Sequence, residues 1–226
     1  MSRPASEPEL SQLLVDGAVA GKPLAAILDD LCTTLVASGV PLTRATVGAL
    51  LIHPLLDATL VIWRADRGVS FDDTPRPAVR GNEAWRHSPF FQMHETGQAM
   101  LRRRLEDGEG TDEHQVLADL RAEGATDYLA LRTCLASGLA LGDGTEIFSS
   151  WTTARQGGFG PAEVERIRRI ERLLAVVVAA SLSTATAGTL LATYLGADAA
   201  RRVLGGDIER GRAEMIHRDD MALRGE

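Results

Sequence analysis

Residues 145–180 read TEIFSSWTTARQGGFGPAEVERIRRIERLLAVVVAA and contain both kinds of secondary structure that decide the fold. The first nine residues, 145–153, are predicted to form a strand. Gly160 and Pro161 then open a helix in which apolar residues recur at intervals of three and four. These residues are Val164, Ile167, Ile170, Leu174 and Val177. The stretch therefore predicts a strand that leads through glycines into a long amphipathic helix.

More strands and helices are predicted on the N-terminal side of this stretch. Asp143-Gly144 is a turn signal that joins residues 145–153 to an earlier apolar strand at 126–136. Because no regular alternation of strand and helix appears, the expected fold is α+β, an antiparallel sheet flanked by helices. The other predicted elements are helices at 8–20, 23–38 and 112–124, a helix that begins at Ser88-Pro89, strands at 45–52 and 58–65, and a loop at 70–85.

Composition and charge narrow the possible functions. The 226 residues are 45% hydrophobic and 24% charged, as in a globular domain with an appendage. A net charge of −7 argues against a surface that binds nucleic acid. Arg102, Arg103 and Arg104 stand just before Glu106, so we interpret this run as a solvated face with balanced charge.

The chain shows no signal for export or for a membrane span. Its N-terminus lacks an apolar run, and two distant cysteines suit a reducing compartment, so we expect a cytoplasmic protein. Leu173 to Ala197 carries no charge, but hydroxyl and small residues fill its middle and arginines stand at both ends. We interpret this segment as a helix that a partner helix can approach closely. Cys134 could be a redox sensor, although its surroundings favour an inert thiol inside a strand.

The histidines do not predict a metal site. None of the five pairs with His, Cys, Asp or Glu at a recognised ligand spacing. A metal or haem site would have to use His53, His87 or His94. The favoured interpretation is that these histidines bind no metal and are either buried with hydrogen bonds or exposed. The residues identify no particular cofactor.

Four stretches in order carry a resemblance to a known family. They are RRRLEDGEG (102–110), VLADLRAEGATDYLAL (116–131), DGTEIFSSWTTARQGGFGPAEVERI (143–167) and LATYLGADAARRVLGGDIERGRAEMI (191–216). Together they resemble the N-terminal regulatory part of bacterial class III adenylate/guanylate cyclases. In that family a GAF-like sensor is followed by a signalling helix, a transducer and the catalytic domain.

The resemblance implies a division of this chain into five parts. The sensor would transmit its state through the signalling helix to a downstream cyclase domain. The parts are N-terminal helices at 1–41, the GAF-like sensor at 42–160, the signalling helix at 161–188, the short helical transducer at 189–216 and a tail at 217–226.

The metal-binding motif of the family's catalytic domain is missing. Cyclisation of a nucleoside triphosphate needs two carboxylates that hold metal ions. Asp219 and Asp220 are adjacent and follow no apolar strand, so we interpret them as tail residues. The prediction is that this chain alone is not an enzyme.

The scarce aromatic residues suggest where a GAF-like sensor would bind a small molecule. Tyrosine and tryptophan combine an apolar ring with a polar atom that ligand pockets use, and an arginine could meet an anionic ligand. The predicted pocket residues are His53, Trp63, Arg64, Trp85, Tyr128 and Trp151. The alternative is a GAF-like scaffold without a ligand, in which these aromatic side chains fill the core.

The apolar stripe of the closing helix predicts a parallel homodimer. The helix looks longer than one domain needs, so a second copy would cover the stripe formed by Val164, Ile167, Ile170, Leu174 and Val177. We expect no nucleic-acid or membrane partner.

Overall fold

The computed structural model describes residues 5–50, 58–71, 83–135 and 145–204. Six antiparallel strands form one sheet in the order β3-β2-β1-β6-β5-β4. The strands are β1 Arg44–Leu50, β2 Ala58–Arg64, β3 Gly68–Phe71, β4 Met100–Arg103, β5 Asp127–Cys134 and β6 Glu146–Thr153. The predicted α+β class with an antiparallel sheet and flanking helices is confirmed.

Seven α-helices accompany the sheet in the described ranges. A left-handed Gly196 (φ 84°) separates the last two, so the predicted long C-terminal helix and the short helix after it are both present. The helices are α1 Glu7–Val19, α2 Leu24–Ala37, α3 Glu83–Arg86, α4 Pro89–Thr96, α5 Gln115–Ala122, α6 Pro161–Leu195 and α7 Ala197–Leu204.

Local signals account for several of these boundaries. The Ser88 side chain accepts a hydrogen bond from the backbone N–H of Phe91 at 3.1 Å, so the predicted start of α4 is confirmed. Gly97 ends α4 in the left-handed conformation, with φ 71°. The predicted loop at 70–85 is wrong at its two ends, because β3 reaches Phe71 and α3 begins at Glu83.

The sheet has two covered faces, which we name after the helices on them. The α6 face contains Val47, Trp63 and Ser149; α2 and α6 pack on it, and α1 packs against α2. The α4 face contains Tyr128 and Phe148, and it packs against α3, α4 and α5. Successive residues of a strand point to opposite faces, so each strand contributes to both cores.

The chain separates into two compact units, residues 1–181 and 182–226. The first contains the whole sheet and the first part of α6. The second contains the rest of α6 and α7, with Tyr194 and Leu195 exposed. No helix among the described residues is both long and apolar enough to cross a membrane.

Candidate functional site

The predicted pocket residues divide between the two faces of the sheet. Trp63 and Trp151 both pair with Ala45 in register, which puts them on the α6 face. Arg64 and Tyr128 belong to the neighbouring row, on the α4 face. The prediction that all of them line one pocket is wrong, because adjacent strand residues such as Trp63 and Arg64 cannot share a face.

The two tryptophans of the α6 face are core residues. Trp63 is buried, and its indole N–H donates to the Asp29 carboxylate of α2 at 2.9 Å. Trp151 is also buried, and its indole N–H donates to the Ser149 hydroxyl at 2.9 Å. Both polar ring atoms are therefore occupied by protein partners.

The α4 face has an aromatic wall. Trp85 is half-buried and lies edge to face with Phe148 and Phe91, with ring centroids 5.9 and 6.0 Å apart. Phe90 lies 5.1 Å from the Phe148 ring. Trp85 thus lies over the α4 face, whereas His53 lies outside the described residues.

Hydroxyl groups lie at the centre of the α4 face. Thr46 and Ser150 are opposite one another in register, and each is only 2% exposed. Tyr128 is buried beside them and hydrogen-bonds to Ser150; burial raises the pKa of its phenol to about 12. We call Thr46, Tyr128 and Ser150 the hydroxyl cluster.

One member of the hydroxyl cluster lacks a hydrogen bond. The Thr46 Oγ1 atom is buried and has no partner within the described ranges. A buried hydroxyl without a partner costs free energy, and such groups are rare in native proteins. A polar ligand atom that reached Thr46 Oγ1 would therefore satisfy a buried hydroxyl. Thr46 and Ser150 were missed in the sequence, although their position in apolar strands was a visible signal.

Two arginines stand at one end of the hydroxyl cluster. Arg44 and Arg64 are paired across β1 and β2, and Arg44 is also opposite Thr152 on β6. Arg64 Nη1 lies 2.7 Å from a carboxylate oxygen of Glu123, just after α5. Arg64 is partly exposed and Glu123 largely exposed, so this ion pair can exchange with a ligand at little cost.

A second polar group lies at the other end of the same face. Glu146 accepts a hydrogen bond from Arg132, and its other oxygen lies 2.7 Å from His94 Nδ1. Burial raises the pKa of Glu146, but the hydrogen bonds from Arg132 and His94 outweigh it and hold the pKa below its usual value. Cys134 is exposed beside this group, so the expected buried thiol is wrong. No set of three or more potential metal ligands occurs in the described ranges.

Asp127 joins the sheet to the start of α6. Its buried carboxylate accepts from Arg102 Nη2 at 2.6 Å and from the Phe159 N–H at 2.9 Å. Arg102 Nη2 also donates to the Phe159 carbonyl at 2.6 Å. We call Arg102, Asp127 and Phe159 the anchor. Arg102 is therefore a structural residue of β4, and the expected solvated face is wrong for it.

The apolar stripe of α6 lies inside the first unit. Ile167, Ile170, Leu174 and Val177 are buried in the single chain, and Val164 is half-buried. The premise that a single copy leaves this stripe open is wrong. Its exposed neighbour is Val176, at 43%.

Among the solved structures to which the chain is similar is the "Crystal structure of the phycoerythrobilin-bound GAF domain from a cyanobacterial phytochrome". The sequence identity is 11%, the TM-score is 0.48, and the similarity covers 80% of this chain and 98% of that chain. No protein-family model matches the chain. No curated protein matches it.

Proposed function

We propose that this chain is a sensory module that binds a small molecule on the α4 face and transmits its state through α6. The observation that carries the proposal is the buried Thr46 hydroxyl, which lacks a partner among the described residues at the centre of that face. A ligand that hydrogen-bonds to Thr46 would remove this cost and would bind more tightly as a result.

The surroundings of the hydroxyl cluster indicate the chemistry of the ligand. Trp85, Phe90 and Phe148 supply apolar ring surface, while Arg44 and Arg64 stand at the rim. A small planar molecule with an anionic or carbonyl group satisfies both features.

The anchor supplies a route from the ligand to α6. Tyr128 of the hydroxyl cluster is adjacent to Asp127, which binds the backbone of Phe159 two residues before α6 begins. A shift of β5 upon ligand binding would therefore change the position of the α6 N-terminus. Such a coupling needs two discrete arrangements of the anchor, and the ligand must bind one of them better.

We also propose that the downstream partner is a class III adenylate/guanylate cyclase domain and that this chain itself does not catalyse cyclisation. The support is the resemblance of residues 189–216 to the transducer of that family. Asp219 and Asp220 lie outside the described residues. The purified chain with ATP or GTP and magnesium or manganese should form no cyclic nucleotide above a blank without protein.

Homodimerisation remains part of the proposal, with a different contact. Because the apolar stripe is buried within one copy, we place the contact between copies on the second unit, where Tyr194 is 79% and Leu195 54% exposed. Replacing both by aspartate should halve the mass measured by sedimentation equilibrium and leave a folded monomer, as judged by circular dichroism. A monomeric wild type at tens of micromolar would contradict this contact.

The alternative function is a scaffold that binds no ligand. The close packing of Phe148 against Trp85 and Phe90 favours it, because these rings fill part of the α4 face themselves. Homodimerisation is common to both functions, so only ligand binding distinguishes them.

Native mass spectrometry and thermal-shift screening with planar carboxylates and nucleotides distinguish the two functions. For a bound compound, Thr46→Val should weaken affinity about tenfold, as loss of one hydrogen bond does. Arg64→Ala should weaken the affinity for an anionic compound and change the stability of the protein little. Arg168→Ala is the matched control, because its ion pair with Glu165 lies on the exposed side of α6. No retained or screened compound, or equal affinity in all variants, would favour the scaffold.

A further inference from the structure

A carboxyl group lies buried between α6 and the sheet. Glu171 is on the α6 stretch within the first unit, and the whole residue is only 4% exposed. One of its oxygens, Oε2, lies 2.5 Å from the Ser149 hydroxyl. The other, Oε1, is buried and has no partner among the described residues.

The hydrogen bonds of this group depend on its protonation state. The indole N–H of Trp151 can only donate, so the Ser149 oxygen accepts from it. Ser149 then has one hydroxyl hydrogen to offer to an ionised Glu171, or it accepts the proton of a neutral Glu171. An ionised carboxylate with a single donor is poorly compensated in an apolar interior. The contact therefore favours the neutral acid.

Among the described residues, no positive charge is placed against Glu171. Ser149 is flanked in register by Val47 on β1 and Leu131 on β5, both apolar. On α2, the buried Cys32 thiol has its pKa raised by burial and by Asp29, and Asp29 accepts from Trp63. On α6, Arg166 binds the Ala5 carbonyl, and Arg168 and Arg169 bind Glu165. Arg169 also binds Glu7, and Arg172, next to Glu171 in sequence, is exposed.

We propose that Glu171 is a proton-binding site that controls how firmly α6 is held on the sheet. When Glu171 is neutral, the chain of Trp151, Ser149 and Glu171 closes and α6 stays packed. When Glu171 loses its proton, the carboxylate needs water, and the helix segment around it separates from β6 more often.

The proton affinity of the group fits this role. Burial raises the pKa of Glu171 from 4.5 to about 7, against a smaller lowering by the Ser149 hydrogen bond. Glu171 therefore titrates near neutral pH in the packed state and near its ordinary value once exposed. This proton-binding site is independent of the hydroxyl cluster, which lies on the opposite face of the sheet.

Hydrogen exchange measured between pH 5 and 9 tests the coupling. If opening of α6 exposes Glu171, the protection factors of its amides around residues 168–175 should fall about tenfold per pH unit from 5 to 7. They should then level off, after a total decrease of about 75-fold between pH 5 and 9. Amides of β5 should keep their protection, because the sheet stays intact.

Two variants sharpen the experiment. Glu171→Gln keeps the hydrogen bond and cannot ionise, so its helix protection should be independent of pH. Glu165→Gln is the matched control, since Glu165 lies on the same helix with an exposed side chain and should behave as wild type. The proposal is overturned if Glu171→Gln keeps the wild-type pH dependence, or if β5 loses protection in parallel with α6.

NMR gives a second readout on the wild-type chain alone. The carboxyl carbon of Glu171 should titrate with a midpoint between about 6 and 8, and the Trp151 indole N–H signal should move with the same midpoint. A midpoint below about 5.5, or a Trp151 signal that does not move, would overturn the proposal even if a variant failed to fold.

Discussion

The two faces of the sheet are built from the same strands but differ in how their polar groups are satisfied. On the α6 face, Ser149 connects Trp151 to Glu171, and the other carboxyl oxygen of Glu171 has no partner among the described residues. We propose that this carboxyl group is satisfied by binding a proton. On the α4 face, Thr46 lies buried with no partner in the described part of the chain. Because a buried polar atom needs a partner, the first face is suited to hold a helix and the second to receive a ligand.

The largest expected effect is on the apolar stripe of the α6 face. Leu174→Asp should prevent folding at 25 °C, because it buries a charge and removes a core side chain at a cost of about 4 kcal/mol or more. Val176→Asp is the control, since Val176 is 43% exposed on the same helix and should change stability by less than about 1 kcal/mol. Circular dichroism with urea measures both. A folded Leu174→Asp monomer would instead support the hypothesis that the apolar stripe is the contact between two copies.

The next effect concerns the anchor, which connects the sheet to the start of α6. Gly158 has φ 67°, and a Cβ atom there would lie 2.4 Å from the Asp127 carboxylate. Gly158→Ala should cost about 3 kcal/mol, through backbone strain and displacement of Asp127. Gly157→Ala, with φ 79° and open space, should show only the strain of about 1 kcal/mol. Equal losses of unfolding free energy in the two variants would mean that the anchor does not matter for stability.

A third effect depends on pH and comes from Glu171. Its pKa is raised from 4.5 to about 7 in the folded state, so the folded protein binds more protons than the unfolded chain in that interval. The contribution of Glu171 to stability is therefore fully present below pH 4.5 and is lost as the pH rises through 7. The loss amounts to about 3 kcal/mol. Urea midpoints of wild type and Glu171→Gln should diverge over this range, and parallel curves would contradict the assignment.

The smallest effect compares one hydroxyl from each face. Ser149→Ala should cost about 2 kcal/mol, because Glu171 and Trp151 both lose their hydrogen-bond partner. Thr46→Val removes a hydroxyl without a partner at nearly equal volume, so stability should stay within about 0.5 kcal/mol. If Thr46→Val is as costly as Ser149→Ala, the Thr46 hydroxyl has a partner and the difference between the faces disappears.

Local pattern was enough for much of the fold. The spacing of Ile167, Ile170 and Leu174 predicts both the helix and the apolar side of it, and the structure confirms that these residues are buried. The pattern could not predict which part of the molecule covers that side, because periodicity identifies an apolar surface but not the element that packs on it. The second copy predicted from the sequence is replaced here by the chain's own first unit.

The charged strand β4 shows where local pattern fails. MLRR at 100–103 looks like a surface, yet Arg102 pairs with the buried Asp127, which lies 25 residues further along the chain. In the sequence, the acidic residues that follow the arginines suggested that their positive charge was balanced locally. The strand forms because its charges find partners that only the folded sheet brings near.

The sequence alone determined the α+β class, the strands β1, β2, β5 and β6 and the long closing helix, because these follow from hydrophobic period and turn residues. Because successive residues of a strand point to opposite faces, the sequence of β2 already places Trp63 and Arg64 on different faces. The tertiary structure decided the environment of Glu171 and Thr46, and with it the candidate proton site and ligand site. Burial depends on elements distant in sequence, and desolvation and unmet hydrogen bonds arise only when those elements pack together.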